Sequence, residues 1–340
     1  MTSASLVVTR AQILAFRRRV SALDERLPVG DDALRTAAWA GLQDSMPRAA
    51  VLSINARVEP TPATVWEHPA LVQIWGPRFS VYVVAAQDLA VFTLGRFPDE
   101  AQAQHRATDL AARIATLLDG TAMPFGEAGR ALGEPHNRLR YATTTGSVVL
   151  RWDGARQPTI RAVPPPEAEP AAARRELVRR YLHVFGPSNP ESFGDWAGIR
   201  TRSAIAAFEQ LHPSLMSVTT PLGARWMLSE DEQAIRDTTE PSGSVRLLPS
   251  GDTYFLLQGA DRELLVPDAD RRGLLWTSRV WPGAILADGE IVGTWRRAGH
   301  TVTVHAWGDL APDVRDQIIA EAERLPIPEN QGRMTVVWAG

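Results

Sequence analysis

Apolar positions along the chain fall into alternating blocks of helical and strand period. Over residues 9–27, Ile13, Leu14, Phe16, Val20 and Leu23 recur every three or four residues. Thr9 stands ahead of them as an N-cap and Pro28-Val29-Gly30 stops the run, which predicts an amphipathic helix. A second helix is expected over 33–42, capped by Asp31 or Asp32, and a third over 48–58 with Ala49, Val51, Leu52 and Ile54 inward. After a short helical turn around Val65-Trp66, segments 71–75 and 79–84, joined by Gly76-Pro77-Arg78, read as strand, tight turn, strand. Three short helices followed by a two-stranded hairpin is the order of a winged helix.

That order recurs. Helices are expected over 87–94 and 100–118, then short ones over 125–132 and 135–141. A hairpin over 147–152 and 159–163 follows, with the turn Asp153-Gly154-Ala155-Arg156. The proline-rich stretch 164–170 is a linker. Beyond it lie helix 171–184, helix 191–197 capped by Ser188 or Asn189 with Pro190 at N1, helix 201–211 capped by Thr201, and a hairpin over 218–228. Segments 192–197 and 201–211 have helix-turn-helix spacing, and Arg200 and Arg202 stand at the start of the recognition helix; a purely structural corner is the other reading. From about Ser244 the texture changes to short strands over 245–249, 254–257, 284–287, 291–297, 301–307 and 334–338, with a helix over 313–325. The expected fold class is α+β. Tandem winged-helix (helix-turn-helix) domains at 1–122, 123–166 and 171–240 precede a small antiparallel β domain or half-barrel at 241–340.

One junction stands out chemically. In Leu42-Gln43-Asp44-Ser45-Met46-Pro47-Arg48-Ala49-Ala50, three polar side chains sit between two apolar helical faces. The plain reading is a helix terminus, with Asp44 or Ser45 capping the helix behind Pro47. The functional reading is a catalytic cluster.

Composition narrows the chemistry. All 36 basic residues of the 340 are arginine, so Schiff-base chemistry and a P-loop, which both need lysine, are excluded. Arginine forks suit phosphate and base edges, but a net charge of −3 means that any basic surface is local. The Arg17-Arg18-Arg19 triplet reads as a solvated face. Zero cysteines exclude disulfides and thiolate sites. The seven histidines lack ligand spacing except His300 and His305, which share a strand, so neither metal nor cofactor is expected. No long apolar run and no basic leader are present, so a cytoplasmic protein without membrane contact is expected.

Several segments stand out together: Thr9-Arg10-Ala11-Gln12-Ile13-Leu14, Gly41-Leu42-Gln43 leading into Pro47-Arg48-Ala49-Ala50, and Leu71-Val72-Gln73-Ile74-Trp75-Gly76. They continue through Arg246-Leu247-Leu248-Pro249, Arg262-Glu263-Leu264-Leu265-Val266-Pro267 and residues 288–297. In these segments the chain resembles the AlkZ/YcaQ family of winged-helix DNA glycosylases. The resemblance implies excision of alkylated or crosslinked bases from double-stranded DNA by a monomer without cofactor. The family's catalytic motif is Gln-Φ-Gln or Gln-Φ-Asp, with Φ apolar. Matched to it, Gln43 takes the first position and Ser45 the last, and Asp44 occupies the apolar middle. In the family the last residue orients or deprotonates the water that attacks C1′ of an oxocarbenium-like sugar. Serine is a poor base, and Asp44 is the better one provided that the backbone turns it toward the site. The expected catalytic residues are therefore Gln43, Asp44 and Ser45, and the expected DNA contacts are Arg48, Arg78, Arg200 and Arg202. The variant motif also keeps open a non-catalytic DNA-binding protein on the same scaffold, a regulator or damage binder.

Overall fold

The structure, a computed structural model, describes residues 6–46, 48–154, 157–237, 243–327 and 334–339. Pro47, which separates the second and third helices in the sequence, and Ala155-Arg156 of the second hairpin turn lie outside them. The chain is a mixture of helices and mostly antiparallel sheets, and no helix among the described residues is long and apolar enough to cross a membrane.

The first helix, Arg10–Val20, begins with the expected Thr9 cap: the Gln12 amide N–H donates to Thr9 Oγ1, and Gln12 Oε1 accepts from the Thr9 amide at 2.9 Å. The second, Asp31–Ala37, is shorter than its pattern and has no side-chain cap, because Gly30 holds the cap position and both aspartates fall inside the first turn. The third spans Ala49–Asn55. Between them runs a strand of two residues, Leu42–Gln43, where the pattern predicted a helix–helix junction.

That short strand edges a six-stranded antiparallel sheet. In spatial order it is followed by Val81–Ala85, Leu71–Trp75, Val148–Arg151, Thr159–Ala162 and Ala122–Pro124. The first and second predicted hairpins are thus fused, meeting where Gln73 pairs with Leu150. The Ala101–Leu118 helix covers the second half of this sheet through Leu110, Ile114 and Leu118, all in a core with Trp75 and Phe125.

Helices Pro170–Phe185, Pro190–Ala197 and Thr201–Leu211 form the third group, with Asn189 Oδ1 accepting from the Ser192 amide at the cap and Pro190 in the first turn. Arg200, not Thr201, holds the cap position of the last of these helices, and it makes no side-chain cap bond. The hairpin Leu215–Thr220 and Gly223–Leu228 completes the group, and Leu6–Val7 adds to it as a parallel third strand. The first helix follows that strand, so Ile13 and Phe16 pack with Val218, Met227 and Ile235. The triplet Arg17-Arg18-Arg19 is consequently not a solvated face. Arg17 and Arg18 are buried, with Arg17 donating to the Phe185 and Gly186 carbonyls and Arg18 to Asp24, while Arg19 reaches the Asp237 carbonyl.

The C-terminal sheet runs Arg246–Leu248, Gly283–Ala287, Glu290–Ala298, Thr301–Ala306 and Thr335–Ala339, antiparallel except for the last pair, which is parallel. Helix Pro312–Glu323 covers it through Val314, Ile318 and Ala322. Residues 254–257, expected as a strand, form none: Tyr254 and Phe255 lie in a 3-10 turn, Thr253–Phe255, capped by Asp252. Asp252 also accepts from both Arg57 guanidinium nitrogens, at 2.8 and 2.7 Å, and from Ser53 Oγ at 2.6 Å. This buried pair locks the 249–253 loop onto the third helix, behind the Leu42–Gln43 strand.

Candidate active site

The Leu42–Gln43 strand pairs with Val83 and Tyr82, and the Asp44 amide extends the ladder by donating to the Val81 carbonyl at 2.7 Å. Extended backbone alternates its side chains. Gln43 and Ser45 therefore share one side, and Gln43 Nε2 donates to Ser45 Oγ at 3.2 Å. Ser45 is exposed, whereas Gln43 is half-buried with its Oε1 shielded and without a hydrogen-bond partner. Gly251 of the locked loop lies behind it: with φ +75°, it places its missing Cβ 3.4 Å from Gln43 Cδ. A side chain there would need strained backbone, while its Cβ would meet the Gln43 amide only in ordinary van der Waals contact.

Asp44 points the other way. Its carboxylate is completely buried: Oδ1 accepts from the Ala50 amide at 3.0 Å and Oδ2 from Gln73 Nε2 at 3.2 Å. The role of base requires that carboxylate to face the attacking water; strand alternation turns it inward instead, where it caps the third helix. Burial pushes its pKa up to about 6, against the pull of the Ala50 N–H and of Arg48, whose Nη1 lies 4.0 Å away.

Gln73 is a residue that sequence reasoning missed. Its amide clamps the second hairpin, accepting from the Trp152 N–H at 2.7 Å and donating to the Trp152 carbonyl at 3.1 Å, while also holding Asp44. Arg48 donates to the same carbonyl at 3.3 Å and stacks on Trp66 at 3.8 Å, and Arg151 lies 4.8 Å from that ring. The signal was a lone glutamine in an otherwise apolar strand, which marks a buried amide that needs partners.

The other expected DNA contacts are scattered. Arg78, half-buried in the first hairpin turn, donates to the Trp196 carbonyl at 3.3 Å. Arg200 and Arg202 are exposed, but both pair with Glu100. Trp75 and Tyr82 belong to the core, whereas Trp66 is only partly buried. No group of three His, Asp or Glu side chains arranged to hold a metal occurs among the described residues.

Comparison with known proteins bears on the fold and the family. A curated relative, an interstrand DNA cross-link repair glycosylase from Streptomyces sahachiroi, is 26% identical over 166 residues. That match covers 47% of this chain and 40% of the relative's length. The solved structure of the Streptomyces sahachiroi DNA glycosylase AlkZ superposes with a TM-score of 0.79 at 16% identity, covering 98% of this chain and 100% of that one. The model of the family described as DNA glycosylase AlkZ-like matches residues 36–326. The chain belongs to the AlkZ-like DNA glycosylase family.

Proposed function

We propose that this chain is a monofunctional DNA glycosylase that hydrolyses the N-glycosidic bond of alkylated or crosslinked bases in double-stranded DNA. The observation that carries the reading is the unpartnered Gln43 Oε1, at the family's first motif position and beside Ser45 on one side of the edge strand. A shielded amide oxygen without a donor is costly to leave unpaired. It is matched to a developing positive charge at C1′ or to the proton of an attacking water. Ser45 Oγ, which already accepts from Gln43 Nε2, is placed to fix that water. Neither side chain is a strong base or acid. The arrangement suits a cationic leaving group such as 7-methylguanine, which departs without protonation, and not a neutral one such as uracil.

The tandem winged-helix reading, with units at 1–122, 123–166 and 171–240 and the β domain at 241–340, is part of this proposal. It is supported by the repeated succession of helices and hairpin, although the N-terminal strand joins the third unit's sheet. Arg48, Arg151 and Arg202 are proposed to meet phosphate, with Arg78 and Arg200 supporting the corner beside them.

The test is release of 7-methylguanine from methylated duplex DNA. Wild type is expected to release the base, and Gln43→Ala to slow release about 100-fold, the usual cost of one transition-state contact. Failure of wild type to release any alkylated base would leave the second reading, a non-catalytic binder of damaged DNA. That alternative is favoured by Ser45 standing where the family carries Gln or Asp.

A further inference from the structure

A cavity of about 700 Å³ opens between the first hairpin turn, the Ala101–Leu118 helix, the His136–Thr145 segment and the helix-turn-helix corner. Gln43 is not in its wall. The four carboxylates of that wall are all engaged. Asp99 pairs with Arg174 at 2.5 Å, Glu100 with Arg200 at 2.5 Å, and Glu134 and Asp109 with Arg113 at 3.0 and 3.7 Å. Two guanidinium groups of the same wall have no carboxylate partner among the described residues. Arg96 is buried, donates only to the Ala197 and Trp75 carbonyls at 2.9 and 3.0 Å, and leaves Nη2 unpartnered. Arg106 projects from the long helix, exposed.

A buried cation without a counter-charge is costly in a low-dielectric surrounding, and a bound anion would offset that cost. Burial lowers Arg96 only to about 9, so it stays cationic at neutral pH. The same wall offers aromatic surface: Phe79 lies 4.7 Å beneath the Arg96 guanidinium and meets Tyr141 edge-on at 4.9 Å, and Tyr141 is 53% exposed. Exposed aromatic faces take nucleobases with little regard to sequence, and the volume lies in the usual range for a small-ligand site.

We propose that this cavity is a second ligand site, separate from the Gln43 strand, that takes a phosphate-bearing nucleotide. The phosphate sits in the positive potential of Arg96 and within reach of Arg106, and the base packs on Tyr141. A free mononucleotide and the phosphorylated end of a DNA strand share this chemistry.

Isothermal titration of the full chain distinguishes them. The probes are 2′-deoxyadenosine 5′-monophosphate, 2′-deoxyadenosine, and a single-stranded tetranucleotide with and without a 5′-phosphate. The phosphorylated probes are expected to bind saturably and the unphosphorylated ones at least tenfold more weakly, with a similar loss in Arg106→Ala and in Arg96→Met. Tighter binding of the mononucleotide assigns the site to free nucleotide, and tighter binding of the tetranucleotide to a strand end. Arg106 is exposed, so its variant carries the test even where Arg96→Met fails to fold. Binding that is absent for both phosphorylated probes, equal for the nucleoside, or indifferent to Arg106→Ala overturns the proposal.

Discussion

Asp44 shows how one carboxylate is fixed by its surroundings. Its ordinary pKa of 3.8 is raised to about 6 by burial, so between those values the folded chain holds a proton that the unfolded chain has released. Stability contributed by the neutral form is therefore present at low pH and lost as pH rises through that window. The full swing is on the order of 3 kcal/mol. Asn at this position mimics the neutral form. The stability of wild type relative to Asp44→Asn, from urea unfolding, is expected to fall between pH 4.5 and pH 7; a difference that does not change with pH would place the carboxylate in a wetter setting. Base release by Asp44→Asn should stay within a few-fold of wild type, in contrast to Gln43→Ala. The polar triplet was visible in the sequence as a junction, and capping by Asp44 was one of two readings. Which side each residue faces was not legible, because a strand of two residues has no period to read.

Elements joined by long-range contacts depend on backbone that no single segment explains. Gly198, in the turn between Pro190–Ala197 and Thr201–Leu211, has φ +70°, and a Cβ there would lie 2.9 Å from the Arg78 backbone nitrogen. The corner between these two helices thus closes directly on the first hairpin turn. Gly198→Ala combines strain with overlap against backbone that cannot swing aside, and is expected to cost about 2 kcal/mol. Thermal unfolding checks this, and an unchanged midpoint would refute the close approach. Helices with caps, such as Arg10–Val20 and Pro190–Ala197, and hairpins with clear turns were legible because their determinants are local. What stayed hidden was set from a distance. Arg17 and Arg18 look like surface charge until the Phe185 and Gly186 carbonyls take the first and Asp24 the second, and residues 254–257 form a short apolar run like a strand although Asp252 caps a turn at its start.

At the scale of the whole molecule, binding of DNA must come from locally gathered arginines, since the net charge is −3. Affinity for duplex DNA is expected to fall steeply with salt as phosphate contacts release counterions, with a log–log slope of about −3 to −5 for a handful of contacts. A filter-binding series from low to physiological salt measures it, and no binding at low salt would defeat both the glycosylase and the binder readings.

The pairing of Leu6–Val7 with Val218–Thr219 has a consequence in time. A ribosome that has released the first twenty residues must add about two hundred more before their partner strand exists. The six-stranded sheet, complete by Ala162, can form while the nascent chain is still short. Its N-terminal neighbour waits, an amphipathic helix with its apolar side open, until the third hairpin emerges. During synthesis the Arg10–Val20 helix is therefore secured later than the six-stranded sheet, once the third hairpin has emerged.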